Sequence, residues 1–96
     1  MARIKWLPEA VDDLERLYFF ILDKDTSAAS KVASTILKGA DLLKNTPRLG
    51  RPMPEDDDRR ELFLAFGAGA YVIRYKLELE DTVVIIRIWH SRENRI

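Results

Sequence analysis

The chain has 96 residues, 47% of them apolar and 33% charged, with sixteen basic side chains balanced by sixteen acidic ones and no cysteine. This length and composition describe one ordinary globular domain over residues 1–96 and exclude disordered and fibrous classes, while a net charge of zero argues against holding nucleic acid through the whole-molecule field. Without cysteine there are no disulfides, thiolate metal clusters or thiol catalysis, and with no apolar run near the ~20 residues of a membrane span and no signal-peptide core at the N-terminus, the expectation is a cytoplasmic protein with no membrane partner.

Residues 2–7 alternate, with Ile4 and Trp6 on one side and Arg3 and Lys5 on the other, and predict a short half-buried strand. Pro8 suits the first turn of a helix, and Glu9, Asp12 and Asp13 place negative charge at the positive end of its dipole. A helix over 9–23 follows, its stripe formed by Ala10, Leu14, Leu17 and Ile21 and widened by Val11 and Phe20. Thr26 or Ser27 is the expected cap of a second helix, which carries Ala29, Val32, Ile36, Ala40 and Leu43 at intervals of three and four and ends near Asn45. The short link makes the two helices an antiparallel hairpin whose apolar faces need a partner layer.

Residues 46–59 show no periodicity and read as the one long loop, with Pro47, Gly50, Pro52, Pro54 and the acidic run Glu55 to Asp58. Three β-like runs follow at 60–66, 70–79 and 83–90, separated by Gly67-Ala68-Gly69 and Glu80-Asp81-Thr82, and form a meander. In the middle run Tyr71, Ile73, Tyr75, Leu77 and Leu79 are expected to face the helices; in the last run Val84, Ile86 and Ile88 take the core side, leaving Val83, Ile85, Arg87 and Trp89 open. If the first strand pairs beside the last, the open face collects Arg3, Lys5, Arg74, Lys76, Arg87 and Trp89, interrupted by Glu61 and Glu78. The fold class is thus α+β, β-α-α-β-β-β, a helical hairpin packed on one face of an antiparallel four-stranded sheet.

Positive charge is concentrated late: residues 59–96 carry seven basic and five acidic groups, against nine and eleven in 1–58. His90 is the only histidine, flanked by Arg87, Arg92 and Arg95; spacing alone leaves open whether it moves a proton near a polyanion or is an exposed end-of-chain residue. The arginines match phosphate oxygens in geometry but equally solubilise a sheet face, and Trp89 suits base stacking or a protein partner. The run Glu55 to Asp58 reads as a solvated loop rather than a metal site, and neither a metal nor a cofactor is expected.

Taken together, Trp6, Ala10, Asp13-Leu14, Leu17, Phe20-Ile21, Ala29, Leu43, Pro47 and Gly50-Arg51, then Arg60-Glu61-Leu62, Tyr71-Val72-Ile73-Arg74-Tyr75 and Ile86-Arg87-Ile88-Trp89-His90-Ser91-Arg92, resemble the RelE/ParE toxins of bacterial type II toxin-antitoxin pairs over nearly the whole chain. The resemblance implies the first strand beside the last. It also implies a cognate antitoxin, ParD-like or RelB-like, in a toxin-antitoxin hetero-oligomer, with candidate antitoxin-binding surfaces on the helices Glu9 to Asp23 and Ser27 to Asn45.

Two targets follow from the two branches of the family. RelE-like members cleave mRNA on the ribosome, a role for which Arg74, Arg87 and His90 are the candidate catalytic residues here; ParE-like members inhibit DNA gyrase with no recognised catalytic set. The His90-Ser91-Arg92 ending looks more like the ParE branch. Tyr71 stands about where nuclease relatives have arginine, and Ser91 where they have an aromatic. The resemblance therefore implies a gyrase-directed toxin with Arg87, Trp89, His90 and Arg92 as its toxicity surface, the mRNA endoribonuclease being the alternative.

Overall fold

The computed structural model of the chain describes residues 1–79 and 81–93. Chain order is β1 (Arg3–Trp6), α1 (Pro8–Leu22), α2 (Thr26–Leu42), β2 (Arg51–Met53), β3 (Asp56–Phe66), β4 (Gly69–Glu78) and β5 (Thr82–His90). The strands form one sheet in the order β1-β5-β4-β3-β2, with β1 parallel to β5 and the other neighbours antiparallel. The helical hairpin covers one face, so the α+β architecture with the first strand beside the last is as expected. The predicted four-stranded antiparallel sheet is, however, five-stranded and mixed.

The extra strand is β2, inside the segment expected to be loop. Its register shifts between Pro52 and Met53, and Pro52 is tolerated because β2 is an edge strand whose missing N–H faces away from a ladder. The segment leading into β2 is pinned from below. Tyr75 is fully buried; its hydroxyl donates to Pro47 O at 2.7 Å and accepts from Gly50 N–H at 2.8 Å. Buried Arg60 donates to Arg48 O and Gly50 O at 3.0 and 2.8 Å. A Cβ on Gly50 would stand 2.7 Å from the Tyr75 ring and hydroxyl, so glycine is required where the loop passes over that side chain.

Ala10 and Leu17 of α1 and Val32, Ile36 and Ala40 of α2 meet Leu62, Ile73, Tyr75, Val83, Ile85 and Ile88 of the sheet in one core, closed by Leu43. Val11 and Phe20, expected to widen the α1 stripe, are instead 40% and 61% exposed. The α2 cap is not Thr26 or Ser27 but Asp25, whose carboxylate accepts from Ala28 N–H at 3.1 Å. Removing it with Asp25→Ala should lower stability by about 1 kcal/mol, read from the midpoint of a urea melt with unchanged slope.

Two strand expectations are corrected. Leu79 lies past the end of β4 and is 91% exposed. In β5, Arg87 pairs with Arg74 but Ile85 pairs with Tyr75, leaving Ile86 as the extra residue of a β-bulge. The bulge reverses side-chain parity: Val83 and Ile85 join the helix-side core with Ile88, whereas Val84 and Ile86 do not. It also keeps Arg87 and Trp89 on the open face. The β4–β5 connection passes Asp81 at φ 54°, a left-handed conformation aspartate tolerates; Glu80, also assigned to this turn, lies outside the described residues.

Candidate functional site

On the open face the register brings Glu61, Arg74 and Arg87 into one row and Phe63, Val72 and Trp89 into the next. Arg74 donates to Glu61 Oε2 from Nε at 3.0 Å and Nη2 at 2.7 Å, and its guanidinium lies 4.9 Å from the Trp89 ring centroid. Arg51 takes the same position over Phe63. Val72, between Phe63 and Trp89, is only 2% exposed although it faces away from the helices. Lys5 and Lys76 flank Val84, and Arg3 and Glu78 flank Thr82, so the predicted basic face with Arg3, Lys5, Arg74, Lys76, Arg87 and Trp89 is assembled, including its acidic interruptions.

At the sheet edge β1 ends at Trp6 and its last bond to β5 is Leu7 N–H to Ile85 O. Beyond that point α1 takes over the edge. Asp13, 4% exposed, accepts Ile88 N–H at 2.8 Å and Arg87 Nε at 2.7 Å on Oδ2, and Arg87 Nη2 at 3.1 Å on Oδ1. Arg16 donates to Asp13 Oδ1 and Ile88 O, both at 3.4 Å, and to Glu93 Oε2 at 2.6 Å; Glu93 Oε1 accepts His90 N–H at 2.8 Å. Edge groups of Ile88 and His90 are thus satisfied by side chains instead of a strand.

Burial raises the Asp13 carboxyl, but the Arg87 and Ile88 hydrogen bonds, the Arg87 charge and Arg16 more than offset this and hold it below its ordinary 3.8. The same pairing raises the Arg87 guanidinium. A depressed carboxylate stabilises the fold fully above its unfolded value and less as pH falls through the folded one. Stability should therefore fall as pH drops below the ordinary 3.8 and through the lower folded value, and Asp13→Asn should remove part of that acid limb in urea melts at a series of pH values.

His90 occupies the other side of the sheet. It pairs with Tyr71, which is 3% exposed in the helix-side core, and the two rings meet edge to face with centroids 5.0 Å apart. His90 Nδ1 accepts Arg92 N–H at 3.1 Å, so the neutral ring donates only from Nε2. A Cβ on Gly69 would stand 2.8 Å from Cε1 and Nε2. The imidazole opens onto a cavity of about 570 Å³ walled by Leu17, Phe20 and Ile21 of α1 with Phe66 and Tyr71.

The candidate catalytic residues are therefore not convergent: Arg74 and Arg87 lie on the open face, each engaged by a carboxylate, and His90 lies behind it. Trp89 is on the open face, and Arg92 is exposed beyond the strand. Arg87, Trp89, His90 and Arg92 surround one end of β5 rather than sharing a surface; Arg95, named with them, lies outside the described residues. Ser91 makes a structural contact, its Oγ accepting Ala70 N–H at 3.0 Å.

Sequence reasoning assigned Asp13 to the helix dipole and missed its burial. The signal was present, since Asp13 stands three residues after Ala10 and four before Leu17, on the stripe itself. The acidic run, expected to be a solvated loop, spans the β2–β3 turn at Glu55 and the start of β3: Asp57 accepts from Arg48 at 3.0 Å and Arg60 at 3.2 Å, and Asp56 accepts Asp58 N–H. Among the described residues no group of three His, Asp or Glu is placed to hold a metal ion. On the candidate antitoxin-binding helices, Phe19 and Phe20 of α1 and Leu37 and Leu42 of α2 are exposed apolar side chains. No described helix is long and apolar enough to cross a membrane.

A family model described as the ParE toxin of the type II toxin-antitoxin system parDE matches residues 4–95. Toxin RelE3 of Caulobacter vibrioides is 38% identical over 95 residues, covering 99% of this chain and 100% of that protein. Toxin RelE1 of the same organism is 36% identical over 83 residues, 86% of each. A chain from the chromosomal ParDE TA system of P. aeruginosa superposes with a TM-score of 0.74 at 22% identity, covering 92% of this chain and 94% of that one; at that identity the likeness concerns the fold.

Proposed function

Because the chain belongs to the ParE toxin family of type II toxin-antitoxin systems, and so is the toxin of a pair whose partner is an antitoxin, we propose that it arrests growth by inhibiting DNA gyrase and not by cutting message. The observation that supports this reading is the division of the candidate nuclease residues by the sheet. Cleavage next to a ribose 2'-hydroxyl needs proton transfer and phosphorane stabilisation at one phosphate, hence an acid-base group and cations on the same surface. Here His90 faces the α1 side and Arg74 the open face, whereas Arg87 leaves the open side of β5 and turns its guanidinium to Asp13 at the sheet edge; the two arginines are neutralised by Glu61 and Asp13. Tyr71, at the position of an expected arginine, is a core residue.

The endoribonuclease reading draws its support from the names of the two Caulobacter relatives, both RelE toxins. The readings diverge in arrested cells. The gyrase reading predicts intact ribosome-bound message and relaxed plasmid DNA after induction; codon-positioned breaks that vanish with His90→Ala or Arg87→Ala would reverse the assignment. Neutralisation is assigned to the exposed apolar side chains of both helices, where an antitoxin segment that orders on binding would bury Phe19, Phe20, Leu37 and Leu42.

A further inference from the structure

Among the described residues no strand lies beside the end of β5 on its outer side, yet its backbone is held. Ile88 has both backbone groups met by α1, N–H by Asp13 and C=O by Arg16. The chain of contacts continues in both directions from Asp13, to Arg87 on the open face and through Arg16 and Glu93 to His90 N–H. Asp13 is the buried member; Arg87 and Arg16 are 42% and 45% exposed at their side chains. One α1 carboxylate therefore fixes the guanidinium at one side of the strand end and, through two further side chains, the backbone that carries the imidazole at the other.

We propose that Asp13 is the positioning residue of the toxic strand end: it does not touch the target but sets the direction of Arg87 and the path of Ile88 to His90, so that those groups meet the target already oriented. The inference rests on the reading that the end of β5 carries toxicity. Preorganisation of this kind matters because an exposed arginine loses rotamer freedom on binding unless a buried partner has already restricted it. Asparagine at position 13 keeps an oxygen for Ile88 N–H but no charge for Arg87, separating closure of the strand edge from orientation of the guanidinium.

The test compares wild type, Asp13→Asn, Arg87→Gln and the double variant. In nitrogen-15 spectra the Arg87 Nε–H of the wild type should be a distinct, slowly exchanging resonance that Asp13→Asn returns to the solvent-averaged arginine position; averaging already in the wild type overturns the inference. Induced at matched levels, each single variant should need at least tenfold more protein for half-maximal growth arrest, with antitoxin affinity within threefold of wild type and the double variant no weaker than either single. Full potency of Asp13→Asn, or losses that multiply in the double variant, would overturn it. Should Asp13→Asn fail to fold, Arg87→Gln carries the comparison, because Arg87 is half exposed and full potency of that variant would show that the guanidinium Asp13 orients is not used, which overturns the inference. Gyrase assays on the same set keep the two questions apart: wild type that arrests growth but leaves gyrase untouched overturns the target, not the role of Asp13.

Discussion

Tyr75→Ala should leave a chain without a cooperative unfolding transition at 37 °C. The side chain is fully buried in the centre of β4, and truncating a buried aromatic costs about 3–5 kcal/mol through lost transfer energy and the cavity left behind. The hydroxyl adds a second loss, because Pro47 O and Gly50 N–H depend on it and each unsatisfied buried group costs about 1–3 kcal/mol. The sum is comparable with the about 5–15 kcal/mol that keeps a domain of this size folded. Tyr75→Phe separates the contributions: the ring stays, the loop before β2 loses its anchor, and the urea midpoint should fall by about 1–3 kcal/mol equivalent. Wild-type stability for Tyr75→Phe would show that the hydroxyl is not what holds residues 47–50.

The second large effect is on activity. His90→Ala combined with Arg92→Ala should raise the concentration needed for half-maximal toxicity roughly 30-fold or more, since two contacts of about 1–2 kcal/mol each at a binding hot spot give that ratio. The fold should survive. Arg92 is exposed, and His90 contributes a ring contact to Tyr71 worth about 0.5–1.5 kcal/mol, so the melting temperature should fall by no more than about 10 °C. Potency preserved in the double variant would remove His90 and Arg92 from the toxic surface and direct attention to the open face around Arg74 and Trp89.

What was legible in the chain follows from which forces act locally. The helices were placed within a few residues because α2's apolar positions Ala29, Val32, Ile36, Ala40 and Leu43 repeat at helical spacing and all became buried, and the three later strands because alternation is strong in residues 70–78. The basic open face was legible too, since Arg74, Lys76 and Lys5 follow strand parity. Three features were not. β2 is three residues long and contains a proline, so it carries no alternation and exists only through pairing with β3 and the anchors Tyr75 and Arg60. The bulge at Ile86 is a two-against-one pairing with β4, invisible in β5 alone because Val83 to Ile88 is apolar on both parities apart from Arg87. The bulge leaves the site untouched: His90 has the parity of Ile88, so alternation alone sets it opposite Arg87 and Trp89, and its grouping with Arg74 and Arg87 as a candidate catalytic set conflicts with that parity.

Asp13 shows a different limit. A carboxylate in the first half of a helix has an ordinary explanation in the helix dipole, and the competing explanation requires knowing that β1 stops at Trp6 and leaves the edge of β5 to be closed. The partner residues Arg87 and Ile88 are 74 and 75 positions away in the chain.

The assignment of target is tested most directly by titrating purified toxin, freed of antitoxin, into gyrase with relaxed plasmid and ATP, and in parallel into ribosomes programmed with a defined message. The expected result is loss of supercoiling with the message intact, restored by adding antitoxin and weakened by His90→Ala with Arg92→Ala. Undiminished supercoiling at high toxin excess, accompanied by cleavage of the ribosome-bound message, would contradict it.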